Sequence, residues 1–133
     1  MNCVEEGIVI FDTDILIWIQ RGNEKAAKWL QQEKDRAISL QTYLELMQYA
    51  ASKKQHAYVH AFLRDFEIAT LPFTEPLGHR AAVYIEEYSL SHGLCAGDAI
   101  IAATAVENGQ ALASGNRKHF RAIKELNLKW FKP

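Results

Sequence analysis

The chain has 133 residues, 49% of them apolar and three of them tryptophan, with a formal net charge of −1. That is enough apolar material for the core of one ordinary domain, and too much for a disordered chain. The near-neutral balance excludes polyanion binding through bulk charge alone, and two cysteines, Cys3 and Cys95, do not make a disulfide framework.

Gly7-Ile8-Val9-Ile10-Phe11 is a short β-branched run ending at Asp12-Thr13, which predicts a buried strand with a helix cap directly after it. Asp14 to Gln20 reads as a short apolar helix stopped by Arg21-Gly22-Asn23. Glu24 to Glu33 is a second helix, with Ala26, Ala27, Trp29 and Leu30 on its apolar side. Trp18 and Trp29 are assigned to the core, a partner surface being the other use open to them. Ala37 to Leu40 predicts a second strand, Thr42 to Ala51 a helix, and Ser52-Lys53-Lys54-Gln55 a polar break. Helix resumes over Ala57 to Phe66, followed by a third strand at Ile68 to Leu71 that stops at Pro72. Thr74 can cap the next helix, with Pro76 in its first turn, where a missing N–H costs little; this helix runs to about Ser91 and stops at Gly93. Gly97-Asp98 opens the most apolar helix, Ala99 to Val106, which Asn108-Gly109 ends. Ala111 to Ala113 is a short strand, Ser114 to Lys118 a polar loop, and Leu126 to Phe131 closes the sheet. No repeat, low-complexity tract or linker interrupts residues 1–133, read as one domain. Strands alternating with helices predict an α/β sandwich with a mainly parallel sheet.

The first residues carry Glu5 and Glu6 rather than the bases of a secretory leader, and the apolar stretches are too short to span a bilayer. A cytoplasmic, reducing location is expected. Charge is unevenly distributed. Arg117, Lys118, Arg121, Lys124, Lys129 and Lys132 crowd the last twenty residues, against Glu125, whereas the first twenty hold Glu5, Glu6, Asp12 and Asp14 and no base. An acidic site beside a basic rim suits joint binding of metal and phosphate; a solvated basic surface is the plainer alternative.

In an open parallel sheet, functional groups collect outside the carboxyl ends of the strands. Asp12 falls there on the first strand, and Asn116 at the matching end of the strand 111–113. Asp98 starts a helix that is apolar on nearly every face, and Glu45 is the lone acid of Thr42-Tyr43-Leu44-Glu45-Leu46-Met47. Taken singly, each has a plainer use. Asp12 or Asp98 can cap a helix, Glu45 can reach an edge or pair with a base, and Asn116 suits a turn. Together, several carboxylates in one apolar-walled crevice repel one another unless a cation compensates. Oxygen ligands without a His or Cys cluster at zinc spacing favour Mg²⁺ or Mn²⁺. Such an ion can hold a phosphodiester, activate water and neutralise a leaving oxygen. Phosphate-loop, dinucleotide and nucleophile-elbow motifs are absent from the sequence. The five histidines are scattered, and the pair His56 and His60, four apart on a helix, suits a solvated face.

These residues resemble the motifs of the PIN-domain family, and in particular VapC-type toxins. The strand ending in Asp12-Thr13-Asp14 looks like the opening of PIN domains, and Thr42-Tyr43-Leu44-Glu45-Leu46 like their second acidic motif. Gly93-Leu94-Cys95-Ala96-Gly97-Asp98-Ala99-Ile100-Ile101-Ala102-Ala103-Thr104-Ala105 is similar to the third and most specific motif, and Ser114-Gly115-Asn116-Arg117-Lys118-His119-Phe120 to the last. The resemblance implies a three-layer α/β/α fold and Mg²⁺- or Mn²⁺-dependent hydrolysis of RNA. Asp12, Glu45 and Asp98 would bind the metal, with Asn116 completing the catalytic set. It also implies a homodimer and silencing by a cognate VapB-type antitoxin, whose tail enters the active-site groove to give a toxin–antitoxin hetero-oligomer. Around that core, Thr13, Asp14, Ser114 and His119 would orient ligands, while Arg117, Lys118 and Arg121 would hold the RNA backbone. Many PIN nucleases have acids at the positions of Asn116 and His119, so the count of one or two metals stays open, with Asp14 able to replace part of the missing charge. A catalytically degenerate module that binds RNA or a protein is the main alternative. A DNA-directed structure-specific nuclease is the more distant one, since the chain lacks extra helices to clamp branched DNA.

Overall fold

Val9, Ile10 and Phe11 alternate their side chains between two apolar layers, so strand β1 (Val9–Phe11) is buried on both faces, as a central parallel strand must be. The structure is a computed structural model and describes residues 7–133; the expectations placed on Cys3, Glu5 and Glu6 lie outside the described residues. After β1 come α1 (Thr13–Gln20), α2 (Glu24–Gln32), β2 (Arg36–Ser39), α3 (Leu40–Tyr49), α4 (Lys53–Asp65) and β3 (Ile68–Leu71). The chain continues through α5 (Glu75–His92), α6 (Ala96–Glu107), β4 (Ala111–Ser114), α7 (Arg117–Phe120) and β5 (Leu128–Trp130). The sheet has the order β3-β2-β1-β4-β5, and its described pairings are all parallel.

Two cores cover the sheet and make the expected three layers. Val9, Phe11, Ile38, Ile68 and Ala113 face α1 to α4, where Ile15, Leu16, Leu30, Leu46 and Val59 pack on them. Ile10, Ala37 and Leu112 face the other way, against α5 and α6. In α6, Ala99, Ala102, Ala103 and Ala105 are buried, and these short side chains let the helix lie close to the sheet and to α5. Arg80 ties α5 to the end of α6 through Glu107 and to Glu125, which also accepts from the Tyr84 hydroxyl.

Several expected boundaries move. The second strand ends at Ser39 rather than Leu40, because the Ser39 side chain accepts from the Thr42 N–H and starts α3 two residues before Thr42. The polar break at 52–55 shrinks to the cap: Ser52 accepts from Gln55 N–H, and Lys53 to Gln55 are helical. The helix expected from Ala99 begins at Ala96, which places Gly97 and Asp98 inside its first turn. The segment 114–118 is not wholly loop, since α7 starts at Arg117. Thr74 and Gly93 do end α5 as expected, Gly93 in the left-handed conformation at φ 70°. Among the described residues, no helix is long and apolar enough to cross a membrane.

Candidate active site

The order of the sheet reverses at β1: the chain first builds β2 and β3 to one side, then returns to place β4 on the other. Such a switch point opens a crevice beyond the carboxyl ends of the two strands. Asp12 and Ser114 stand at those ends, and Ser114 Oγ donates to Asp12 Oδ2 at 2.7 Å. Asp12 also caps α1, its Oδ1 accepting from the Thr13 N–H at 2.7 Å. One side chain therefore caps α1 and stands at the mouth of the crevice.

Burial governs its charge. Asp12 is 5% exposed, and its carboxyl is pushed up to about 8, first by loss of solvation and then by the neighbouring Asp14 charge. The bonds from Ser114 and Thr13 oppose that rise, and Asp98 adds to it. Asp14 is raised as well, first by burial, with Asp98 adding repulsion, although the Gly115 N–H bond at 2.9 Å to Oδ2 favours its ionised form. Its other oxygen, Oδ1, is buried and has no hydrogen-bond partner among the described residues. A buried carboxylate oxygen left bare beside other acids is costly unless a proton or a cation joins it.

The remaining acids arrive from the two helices that flank the crevice. Glu45 on α3 accepts from the Thr13 hydroxyl and, at 3.1 Å, from Gln41 Nε2. Thr13 in turn shares a 3.0 Å bond with the buried Thr42 hydroxyl. Asp98 accepts from Cys95 Sγ at 3.1 Å, and its Oδ2 lies 3.1 Å from His119 Nδ1. Partial burial and the Asp98 hydrogen bond help to keep the Cys95 thiol protonated above its usual range. His119 Nδ1 is also 2.9 Å from the Asn116 side-chain amide, and the Asn116 N–H donates to Ser114 Oγ at 2.9 Å. Hydrogen bonds thus link Asp12, Ser114 and the Asn116 backbone, and His119 Nδ1 lies between the Asn116 amide and Asp98, its tautomer deciding which of the two it bonds. His119 sits against Asp98 and Asn116.

Gly97 sets the approach of α6 to α3. A Cβ there would lie 2.9 Å from Glu45 Oε2 and 3.3 Å from Gln41 Nε2. The structure therefore gathers Asp12, Thr13, Asp14, Glu45, Asp98, Ser114, Asn116 and His119 about one crevice. The three basic residues separate: Arg117 lies over the Trp130 ring at 4.8 Å, whereas Lys118 and Arg121 flank a cleft of about 240 Å³ with His92 and His119. Sequence reasoning missed Gln41, Thr42 and Cys95. Gln41 and Cys95 stand one helical turn before Glu45 and Asp98, a spacing that was readable without the structure.

Chemically, the donor set suits a hard divalent ion: carboxylate and amide oxygens, with one carboxylate oxygen unpartnered. Among the described residues, however, no three His, Cys, Asp or Glu side chains converge as a ready cage for a metal. The reason is visible in the bonds: Glu45 is held by Thr13 and Gln41, and Asp98 by His119 and Cys95.

The PIN domain family matches residues 9–126. A search of the curated proteins found no match. Among solved structures, a chain of a toxin–antitoxin complex from Klebsiella pneumoniae is similar at 29% identity and a TM-score of 0.76, covering 89% of this chain and 94% of that one. FitAcB from Neisseria gonorrhoeae is similar at 26% identity and a TM-score of 0.68, over 90% of this chain and 95% of that one. VapBC2 from Rickettsia felis, bound to a promoter DNA fragment, shares the fold at 20% identity and a TM-score of 0.77, over 95% and 100% of the two chains. With a parallel sheet in the expected order of layers, acids gathered at its switch point and a family match along most of its length, the chain belongs to the PIN-domain family.

Proposed function

We propose that the protein is a divalent-metal-dependent endoribonuclease, the toxin of a VapBC-type pair, with residues 1–133 forming one PIN domain. One observation carries the reading: buried Asp12 and half-buried Asp14 stand together at the switch point, Asp14 Oδ1 has no hydrogen-bond partner among the described residues, and both groups are held toward their protonated forms. Family membership favours nuclease chemistry, and the likeness to a chain of a toxin–antitoxin complex favours a toxin. Asp12, Glu45 and Asp98 would hold Mg²⁺ or Mn²⁺, with Asp14 and Asn116 adding oxygens. The ion would supply Lewis acidity toward the phosphodiester and a lowered pKa for water.

The chain's own groups do the positioning. Ser114 and the Thr13 N–H fix both oxygens of Asp12, and Thr13 with Gln41 holds Glu45. His119 restrains Asp98 and offers its ring as a proton carrier beside the bound phosphate. Lys118 and Arg121 supply positive charge for the RNA backbone. A VapB-type antitoxin would silence the enzyme by laying its tail in the same crevice, within a homodimer-based hetero-oligomer.

The test is RNA cleavage by the antitoxin-free protein with Mg²⁺ or Mn²⁺, beside an EDTA control and Asp98→Asn. Metal-dependent cleavage reduced at least about a hundredfold in the variant is expected. Full activity of Asp98→Asn would overturn the site assignment. A second reading, a degenerate PIN module that binds RNA or a protein without cutting, is favoured by the lack of three converging ligands among the described residues. Folded protein that neither cleaves RNA nor takes up Mn²⁺ in a calorimetric titration would establish it.

A further inference from the structure

A second feature adjoins the acidic crevice along the open edge of the sheet. In the β4–β5 register, Trp130 is the partner of Ser114, the residue that donates to Asp12. The Phe131 N–H donates to the Ser114 carbonyl at 2.8 Å. Gly115 is wedged between Asp14 and Phe131: a Cβ there would meet Asp14 Oδ2 at 2.9 Å and the Phe131 carbonyl at 3.3 Å. Beyond this seam lies a groove of about 480 Å³ between α2 and β5, lined by Lys25, Lys28, Trp29, Trp130, Phe131 and Lys132.

Its composition is unusual for a solvated face. Trp130 leaves 46% of its surface exposed, and along the same groove the Trp29 and Phe131 rings stack on each other at 5.8 Å. Lys25 lies over the Phe131 ring and donates to the Lys132 carbonyl, and Arg117 covers part of Trp130. Lys25, Lys28, Lys132 and Arg117 form no ion pair among the described residues, and no acid lines the groove. Cations without an ion-pair partner among the described residues, set around the exposed Trp130 ring, match a strand of phosphates and unpaired bases, since every base has a face to stack. A duplex, with its bases already stacked on one another, cannot use the rings. An acidic peptide would meet the charges but would carry its carboxylates toward Asp12, Asp14 and Asp98.

We propose that this groove is a single-stranded RNA platform, on which Trp130 stacks a base next to the phosphodiester held at the acidic crevice, while Lys25, Lys28, Lys132 and Arg117 track the backbone. The assignment rests on the nuclease reading for its substrate and deepens it by placing the flanking nucleotides.

The experiment measures binding of a fluorescein-labelled, single-stranded oligoribonucleotide of mixed sequence in EDTA, where no cleavage intervenes. Trp130→Ala should weaken it about tenfold, while Trp130→Phe restores most of the affinity. Lys28→Ala with Lys132→Ala should lower the slope of log affinity against log salt by about 1.4, and Trp130→Ala should leave that slope unchanged. A duplex of the same sequence should bind wild type and Trp130→Ala alike. Thermal melts verify that these surface variants remain folded. Unchanged affinity in both Trp130→Ala and the double lysine variant would overturn the platform. So would a groove that binds poly-glutamate and not RNA, which would make it a protein-docking site. Wild-type cleavage in Mg²⁺ is scored separately, so failure of the nuclease reading is distinguishable from failure of the platform.

Discussion

At the scale of single residues, the decisive fact is that Asp12 does two jobs with one carboxyl. It caps α1 as any Asp after a strand can, and it stands buried among other acids. Its raised pKa has a consequence for stability. In the unfolded chain Asp12 ionises near 3.8, whereas in the fold it keeps its proton to about 8. Between those values the unfolded state holds fewer protons than the native state, so ΔG of unfolding falls as pH rises. The effect is absent below the lower value and levels off above the higher one. Metal-free protein in EDTA should therefore melt at progressively lower temperature from about pH 4 to pH 8. Asp12→Asn, with no proton to lose, should flatten that slope. A wild-type melting temperature that climbs steadily through the same window would contradict the burial argument.

The elements show why the acids meet. Helix α6 is apolar around most of its circumference, and its alanines let it sit against both α5 and the sheet. Its first turn reaches α3 at Gly97, where the absent side chain leaves room for the Glu45 carboxylate. Gly97→Ala separates stability from function. Alanine favours the helix by up to about 1 kcal/mol, and the atom it meets first is the far end of a flexible glutamate. The melting temperature should hold or rise slightly, while cleavage falls about ten- to a hundredfold as Glu45 is displaced. Loss of folding with loss of activity would mean that the backbone, not Glu45, occupies the space. Gln41 belongs to the same argument: it lies one turn ahead of Glu45 and helps to fix the side chain that Gly97 accommodates.

Across the whole molecule, the two cores hold β1 and β4 as neighbours, and this brings charges that repel one another into one crevice. A ligand that binds the native crevice and not the unfolded chain must stabilise the fold. At about a hundred times its dissociation constant, Mn²⁺ should add about 2.7 kcal/mol and raise the melting temperature by on the order of 10 °C. EDTA should reverse the shift, and Asp98→Asn should shrink it. A melting temperature indifferent to Mn²⁺ would point instead to the degenerate module. The sequence by itself determined the alternation of strands and helices, the cap at Thr74, the stop at Gly93 and the identity of the acids, because turn chemistry and apolar periodicity are local. It also carried the family motifs. Element boundaries at Ser39 and Ser52 shifted because capping bonds outweigh the run of apolar residues from which boundaries are read. Only the tertiary structure decided that Asp14 carries a bare oxygen, that His119 turns to Asp98, that Arg117 parts from Lys118 and Arg121, and that Trp130 lies beside Ser114. Like the bond between Asp12 and Ser114, which are 102 positions apart in the chain, such contacts exist only once the parallel sheet has fixed which strand ends are neighbours.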